Sequence, residues 1–196
     1  MSYLFSRFMT LFTLTWKAMM HPAFNRYPFT VLKEESIMTS RVNHFKTVPA
    51  LAKSLGDVSM ALRKTSLDAT LKHLVDIRAS QLNHCAFCLD MHVKEAKLHG
   101  ERELRLHHVA IWRESPLFSA REKAALALTE ALTRIGEQGV SEALYGELRE
   151  HFSEVEISEL AFTIAVINSW NRLQILSQMA PGALDSAYGL DRAELH

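Results

Sequence analysis

Apolar residues from Met38 onward recur every three or four positions, which is the spacing of one face of an α-helix. The clearest stripe runs through Leu67, Leu71, Leu74, Val75 and Leu82. Runs of alternating β-branched residues do not interrupt this pattern, and the sequence contains no Asn-Gly or Asp-Gly hairpin turn. We therefore predict an all-α fold: a single-domain helical bundle of seven to eight helices, counting one near the N-terminus.

Start and stop signals divide this pattern into helices. Pro49 suits the first turn of a helix that extends to about residue 64. Ser119 and Ser153 each precede a glutamate by three residues, which is the capping-box pattern, and they open helices reaching about residues 136 and 179. Further helices are predicted over residues 67–82, 85–99 and 102–113, and after Ser141. Gly100 and Pro181-Gly182 act as stop signals.

The first 37 residues form a predicted amphipathic extension (1–37) ahead of the helical domain (38–196). Six apolar residues fall near one helical face: Leu4, Phe5, Phe8, Leu11, Phe12 and Met19. Arg7 and Lys17 leave nine uncharged residues between them, far fewer than the roughly 20 that span a bilayer. The extension is therefore expected to pack on the protein or on a partner subunit, and Met38 is an alternative start of the chain.

Charge and cysteine content narrow the function classes. Lys plus Arg and Asp plus Glu number 22 each, so no basic excess favours nucleic-acid binding. The two cysteines are three residues apart, and a bridge between them would close almost no loop. Such a pair is typical of a reactive or metal-binding site in a reducing compartment. A cytoplasmic location is expected.

The candidate chemistry lies in NHCAFCLDMH, residues 83–92. Cys85, Cys88 and His92 have the spacing i, i+3 and i+7, so they share one helix face. With Asn83 as the predicted N-cap, both cysteines would lie in the first turn, where the helix dipole favours thiolate over thiol. Two adjacent thiols can cycle through a sulfenic acid and a disulfide. His92, or His84 beside Cys85, could transfer the proton.

Two other interpretations of the cysteines stay open at this point. They could be packed core residues, because free cysteine is often buried. They could also bind zinc together with His92, with His84 or His73 as a fourth ligand, although ligands along one continuous helix surround a metal poorly. The sequence lacks Cys-x-x-Cys-His, so covalent haem attachment has no support. No cofactor and no metal are expected.

Three segments carry a family resemblance: IRASQLNHCAFCLDMHVKEAKLHGE, WRESPLFSAREKAALALTEALT and AVINSWNRL. Together they resemble the alkylhydroperoxidase AhpD-like group of the carboxymuconolactone decarboxylase family, over roughly residues 38–182. The pattern Arg-x-Ser-Gln-x-Asn-x-Cys-x-x-Cys-x-x-x-His is matched by Arg78, Ser80, Gln81, Asn83, Cys85, Cys88 and His92. AVINSWNRL is expected to serve packing, with Asn168, Trp170 and Arg172 as lesser candidates for lining the site.

The resemblance implies an all-helical fold that assembles into a homo-oligomer, a trimer or hexamer. It also implies a thiol-dependent peroxidase, which reduces a hydroperoxide at the expense of an external dithiol such as a lipoyl or thioredoxin-like protein. In that scheme Cys88 attacks the peroxide, Cys85 resolves the intermediate and His92 belongs to the proton relay. The alternatives are a non-enzymatic helical oligomer with redox-sensing or inert cysteines, and the decarboxylase branch, whose lactone chemistry does not use a cysteine pair.

Two positions depart from the family pattern. His73 stands twelve residues before Cys85, where the family often places a glutamate as general base. A histidine can act as a base at neutral pH, but this exchange is expected to remove the negative charge that would hold His92 protonated. His84 stands where glycine is usual. The candidate site residues are therefore Cys85, Cys88 and His92, with His73 and His84 as further members of the relay.

Overall fold

The structure is a computed structural model that describes residues 41–195. That part contains nine α-helices and no strand. The helices are α1 His44–Thr47, α2 Pro49–Leu62, α3 Ala69–Asn83, α4 Ala86–Leu98, α5 Glu103–His108, α6 Ala120–Thr133, α7 Glu142–His151, α8 Glu154–Ser177 and α9 Asp185–Tyr188. Two 3-10 turns add Val109–Ile111 and Leu190–Ala193. The all-α prediction is confirmed, and two of the nine helices are single turns of four residues.

The helix boundaries follow the capping signals of the sequence. Pro49 is the first residue of α2, and Ser119 and Ser153 form capping boxes that open α6 and α8. The predicted helix over 102–113 divides into α5 and a 3-10 turn. α8 ends at Ser177, slightly earlier than predicted, because Gln178 adopts the left-handed conformation with φ of 52°.

The predicted extension, residues 1–37, lies outside the described residues. Among helices of the described part, none is long and apolar enough to cross a membrane.

α3 is the central helix of the domain and packs against α4, α6 and α8. One of its faces meets α6 and α8 through a buried cluster that includes Leu71, Val75, Leu128, Leu160 and Ile164. Another face meets α4 and the α5 region through a second cluster: Leu74, Ile77, Ala96, Leu106, Val109, Trp112, Phe118 and Leu126. Each fully buried leucine or isoleucine stabilises the fold by roughly 1.5–3 kcal/mol. These two clusters hold α3 on two of its faces, and the candidate site begins at its C-terminal end.

Glu130 on α6 anchors that half of α3 to the α5 region. Its Oε1 accepts hydrogen bonds from Arg78 Nε at 2.8 Å and from Trp112 Nε1 at 2.8 Å. Its Oε2 forms an ion pair with Arg113 Nη1 at 2.6 Å. Burial alone would raise the pKa of Glu130, but these donors outweigh it and lower the pKa. Arg78 of the family pattern therefore serves the scaffold around the site.

The C-terminal segment is tied to α4 through Lys94, a buried cation. Lys94 Nζ lies 2.9 Å from Asp90 Oδ2 and 2.6 Å from Asp185 Oδ2. The backbone N–H of Gly182 also donates to Asp90 Oδ2 at 3.0 Å. These contacts bring Met179 and Leu184 against the buried cluster around the cysteines.

Candidate active site

The cysteines follow directly from the way α3 ends. His84 is left-handed, with φ of 58° and ψ of 36°. Its N–H donates to Gln81 O at 3.2 Å, and the N–H of Cys85 donates to Ser80 O at 3.0 Å. This pair of bonds is a Schellman motif, whose left-handed residue is usually glycine. The glycine that the family often has at position 84 is explained by this conformation.

The same short turn starts the next helix. Cys85 is the N-cap of α4, and its Sγ accepts a hydrogen bond from the backbone N–H of Cys88 at 3.4 Å. Asn83 is the last residue of α3, so the prediction of Asn83 as the N-cap is wrong. The reason is that Asn83 is still helical and the Schellman motif places His84 and Cys85 between it and the first residue of α4. Cys85 therefore occupies the N-cap position.

The two thiols are in direct contact. Their sulfurs lie 2.7 Å apart, both cysteines are free, and Cys85 and Cys88 are only 2% and 1% exposed. Their immediate apolar neighbours are Ala79, Phe87 and Ile167. The predicted pairing of both cysteines at the start of one helix is therefore present, inside the protein.

The pair favours one ionised sulfur. A hydrogen bond from the Cys88 side chain to the Cys85 sulfur lowers the pKa of Cys85 to about 7, against the opposing effect of burial. The same bond, together with burial and the charge on Cys85, raises the pKa of Cys88. Cys85 is therefore partly ionised near neutral pH, and it is the sulfur that carries the charge when one of the two is ionised.

His92 lies on the next turns of α4 between two carboxylates. Its Nδ1 is 2.9 Å from Glu95 Oε2 and 3.7 Å from Asp76 Oδ2, and His92 is 9% exposed. Burial alone would lower the pKa of His92, but attraction to Asp76 and the hydrogen bond with Glu95 raise it. Position 73 supplies no negative charge, but Asp76 and Glu95 place two carboxylates beside His92.

The pKa values of the two carboxylates are shifted in opposite directions. Burial raises the pKa of Asp76 to about 6, although His92 attracts its charged form. Burial would also raise the pKa of Glu95, but the hydrogen bond and charge of His92, together with Arg63, lower it to about 2. Arg63 Nη2 lies 3.0 Å from Glu95 Oε1. Glu95 is thus the permanent anion of the cluster, and Asp76 is a carboxyl that can hold a proton near neutral pH.

His73 belongs to the same cluster. Its Nε2 lies 3.0 Å from His99 Nδ1, and the two rings stack with centroids 4.9 Å apart. His99 Nδ1 also lies 2.8 Å from Glu95 O. A backbone carbonyl can only accept, so His99 Nδ1 is assigned the proton and His73 Nε2 accepts. Burial lowers the pKa of His73 to about 4, which keeps His73 neutral at pH 7.

The histidine cluster and the thiol pair are separate groupings of side chains. His73, His92 and Glu95 each offer a ligand-type atom, and these atoms lie within 4.8 Å of one another. In residues 41–195 this grouping extends to neither cysteine, so the zinc site considered from Cys85, Cys88 and His92 is not formed. His84 is exposed and sits at the turn itself.

A buried network of amides lies on the α8 side of the thiols, and the sequence analysis missed its central residue, Asn171. Asn83 Nδ2 donates to Asn168 Oδ1 at 2.9 Å and to Asn171 Oδ1 at 2.8 Å. Asn171 is 0% exposed and donates to Ser80 Oγ at 3.1 Å. Trp170, one of the lesser candidates, donates instead to Ser59 Oγ on α2 at 2.9 Å. The available signal was the pair of asparagines three residues apart within AVINSWNRL.

The sequence is similar to a known protein family and to two bacterial proteins. A sequence model of the carboxymuconolactone decarboxylase family matches residues 49–131. The uncharacterised protein YdfG of Bacillus subtilis is 39% identical over 138 residues, which cover 70% of this chain and 94% of YdfG. The uncharacterised protein YnjA of Escherichia coli is 36% identical over 107 residues, covering 54% of this chain and 58% of YnjA.

Solved structures show the same fold. A crystal structure from Agrobacterium tumefaciens, proposed to be the antioxidant defence protein AhpD, is 35% identical with a TM-score of 0.70, covering 72% of this chain and 97% of that one. A peroxidase-related protein with an AhpD core from Ralstonia eutropha is 20% identical with a TM-score of 0.64, covering 71% and 76%. The debrominase Bmp8 is 21% identical with a TM-score of 0.62, covering 74% and 77%. The chain therefore belongs to the carboxymuconolactone decarboxylase family and has its AhpD-like helical fold.

Proposed function

We propose that the protein is a thiol-dependent peroxidase that reduces hydroperoxides through Cys85 and Cys88, with an external dithiol as the electron donor. The observation that supports this most directly is the pair of free thiols 2.7 Å apart at the start of α4. One sulfur of such a pair can be oxidised while the other is close enough to bond to it. The antioxidant role proposed for the related Agrobacterium protein points the same way.

With an external dithiol as reductant, the two cysteines are sufficient for a reaction balanced in atoms and electrons. A thiolate sulfur attacks the terminal oxygen of ROOH, forms a sulfenic acid and releases RO⁻, which takes up a proton as ROH. The second sulfur then displaces hydroxide from the sulfenic acid, which leaves as water, and a disulfide forms. A dithiol reduces this disulfide and becomes a disulfide itself. The net change is ROOH plus dithiol to ROH, water and oxidised donor.

The family resemblance assigns the attack to Cys88 and the resolving step to Cys85. The hydrogen bonds favour ionisation of Cys85 instead. The two statements are compatible because the proton needs to move only between two sulfurs that are 2.7 Å apart. Attack by Cys88 then starts with transfer of its proton to Cys85, and the reverse assignment is the competing outcome.

His92 is the proposed proton carrier for this cycle. Asp76 and Glu95 raise the pKa of His92 and so favour its protonated form, which can deliver a proton to the departing alkoxide or hydroxide. Asp76, with a pKa of about 6, can return that proton near neutral pH. His73 is uncharged at this pH and sets the position of the cluster through its contact with His99.

Burial of the thiols limits the size of the substrates that can reach them. At 2% and 1% exposure, Cys85 and Cys88 are accessible only to a small molecule or after local opening. Small hydroperoxides are therefore the proposed substrates, in preference to bulky lipid hydroperoxides.

The remaining parts of the proposal concern partners. A lipoyl or thioredoxin-like dithiol in a reducing cytoplasm is the proposed donor, and a homo-oligomer, a trimer or hexamer, is the proposed assembly. Exposed apolar side chains on α2 and α8, which pack against each other, support self-association: Leu51, Val155 and Phe162 are 59–70% exposed. Sedimentation or light scattering of the full-length protein would test the assembly.

The decisive experiment measures peroxide consumption coupled to a dithiol. Wild type should consume ROOH and dithiol one to one, and Cys88→Ser should abolish turnover. Cys85→Ser should consume one equivalent and accumulate a sulfenic acid at Cys88, detected by mass spectrometry. If a single equivalent is instead consumed by Cys88→Ser and not by Cys85→Ser, the two roles are exchanged. If the doubly substituted protein consumes peroxide as fast as wild type, the protein is not a thiol peroxidase.

The histidine at position 73 has its own test. His73→Glu restores the residue usual in the family and should maintain or raise turnover. His73→Ala should shift the pH profile of turnover, because it removes a neighbour of His92 and Glu95. A rate for His73→Ala that equals wild type from pH 5 to pH 9 would remove His73 from the mechanism.

A further inference from the structure

We infer that residues 179–185 form a gate over the two thiols, and that Leu184 in this gate limits which molecules reach the sulfurs. The gate is held closed by the ion pair between Lys94 and Asp185. The inference deepens the proposed function and rests on it for the identity of the substrates, since it names the segment that admits the hydroperoxide and the donor dithiol.

The gate supplies most of the partly exposed surface around the cysteines. The buried members of the cysteine cluster come from the helical core: Ala79, Cys85, Phe87, Cys88 and Ile167. The partly buried side chains that pack against this cluster are Met91 of α4 and Met179 and Leu184 of the gate. A route from solvent to the sulfurs that leaves the long helices in place therefore passes between these three side chains.

The gate is held on α4 by a charged contact. Lys94 Nζ lies 2.6 Å from Asp185 Oδ2, and the Lys94 side chain is only 7% exposed. The chain turns closely around this contact at Gly182, which has φ of 77°; a Cβ there would lie 3.4 Å from Asp185 Oδ2. The N–H of Gly182 also donates to Asp90 on α4. Asp185 directly follows Leu184, so breaking the ion pair frees Leu184 to leave the cluster.

The segments on either side of the gate can stay in place when it opens. Before it, α8 ends at the left-handed residue Gln178. After it, Leu190 and Ala193 of the 3-10 turn are 3% and 2% exposed, and this turn packs on α4. The residues of α9 between them are all partly or fully exposed, which is typical of a segment that opens locally.

Opening leaves no buried charge without a partner. Lys94 Nζ also lies 2.9 Å from Asp90 Oδ2 on its own helix, so the ammonium keeps one carboxylate when Asp185 moves away. Asp185 itself is at the edge of the protein, with its side chain 20% exposed, and water can solvate it. The free energy needed for opening is therefore smaller than for an ion pair whose two members have only each other.

The test uses two gate variants and one control in the full-length, reduced protein. Asp185→Asn removes the charge at nearly constant shape, and Leu184→Ala removes the side chain that covers the cluster. The control is Glu156→Gln, which removes the ion pair with Arg121 at 2.9 Å outside the gate, while glutamine can still serve in the capping box. Circular dichroism melts check folding, and Leu184→Ala decides the test alone if Asp185→Asn does not fold.

The readout is the rate at which each cysteine is alkylated, followed by mass spectrometry, with iodoacetamide and with the bulkier N-phenylmaleimide. We expect both gate variants to speed alkylation at pH 7 by about tenfold or more, and Glu156→Gln by less than about threefold. The factor should be larger for N-phenylmaleimide, since the smaller reagent can also enter the closed protein. The pH midpoint of alkylation should not change, because the gate controls access and leaves the acidity of the thiols as it is.

The inference is overturned if a folded gate variant stays within about threefold of wild type, or if Glu156→Gln accelerates alkylation as much. A shifted pH midpoint would also overturn it, because the variant would then act on the thiols themselves. Alkylation needs no peroxide, so a protein that shows the predicted acceleration yet consumes no ROOH would refute the proposed function alone.

The role of Leu184 in substrate choice has a separate readout. Leu184→Ala should raise the turnover of cumene hydroperoxide relative to that of hydrogen peroxide, because the bulkier substrate gains more from a wider opening. An unchanged ratio in an active enzyme would remove Leu184 as a determinant of specificity.

Discussion

Replacing Asp76 by asparagine should stabilise the fold at neutral pH, at the expense of the proposed proton relay. The Asp76 side chain is 18% exposed and lies 3.7 Å from His92 Nδ1. Its pKa is raised from 3.8 to about 6, mainly because burial disfavours the charged carboxylate. A buried charged group whose removal would stabilise the protein is typical of a functional position.

The magnitude follows from linkage. A carboxyl whose pKa is higher in the folded state binds its proton more tightly there than in the unfolded chain. The folded state therefore carries no penalty below pH 3.8, and the penalty grows as the pH rises and is complete above about pH 6. A rise of about two pKa units corresponds to roughly 3 kcal/mol, and residual exposure reduces this to about 2 kcal/mol.

The assay is urea unfolding of wild type and Asp76→Asn at one protein concentration, at pH 7.5 and pH 4.5. Asp76→Asn should be more stable by about 2 kcal/mol at pH 7.5, and the gain should shrink to about a third of that value at pH 4.5. Peroxide turnover should fall in the same variant, because His92 loses one of its two anionic neighbours.

Glu95→Gln is the matched control with the opposite sign. The pKa of Glu95 is lowered to about 2 because the His92 hydrogen bond and nearby cations outweigh its burial. Its charged form therefore stabilises the fold above pH 4.5, and Glu95→Gln should lose about 2 kcal/mol at pH 7.5. If Asp76→Asn is no more stable than wild type at pH 7.5, or if its gain is the same at both pH values, the argument from burial fails.

Three further predictions concern single residues. Cys88→Ala removes the thiol that donates to Cys85, so the midpoint of Cys85 alkylation should rise from pH about 7 towards 9, and an unchanged midpoint would contradict the shared hydrogen bond. His84→Gly relieves a left-handed residue with φ of 58° and should add about 1 kcal/mol to the free energy of unfolding, whereas a loss would show a contact we have not identified. Gln174→Met removes the unpaired buried Oε1 and should raise that free energy by about 1 kcal/mol in urea unfolding; reduced stability would mean that Oε1 has a partner.

The fold was predictable from the sequence because its signals are local. Ser119 and Ser153 specify their helix starts through a glutamate three residues on, and Pro49 suits a first helical position. The thiol pair was predictable for the same reason, since Cys85 and Cys88 are held together by one turn of one helix. Its N-cap was not, because a single left-handed residue moved the boundary from Asn83 to Cys85.

The partners of the site were not predictable, because they come from packing between helices. Asp76 reaches His92 only through the crossing of α3 and α4, and Asn171 reaches the same region from α8. No spacing rule within one helix connects residues 80 and 171. The absence of the usual glutamate at position 73 suggested a missing charge, whereas neighbouring turns supply carboxylates from other positions.

Cys85 lies where one helix ends and the next begins, so its oxidation state affects the stability of the helix start. As a reduced sulfur it accepts the backbone N–H of Cys88, one of the first-turn donors of α4 that have no partner within the helix, and an N-cap of this kind contributes about 1 kcal/mol. A sulfur engaged in a covalent bond is a poorer acceptor, so oxidation should loosen the first turn of α4. Amide hydrogen exchange at Cys88 would then run faster in the oxidised protein, and the turn between α3 and α4 would report the redox state to any partner that contacts it.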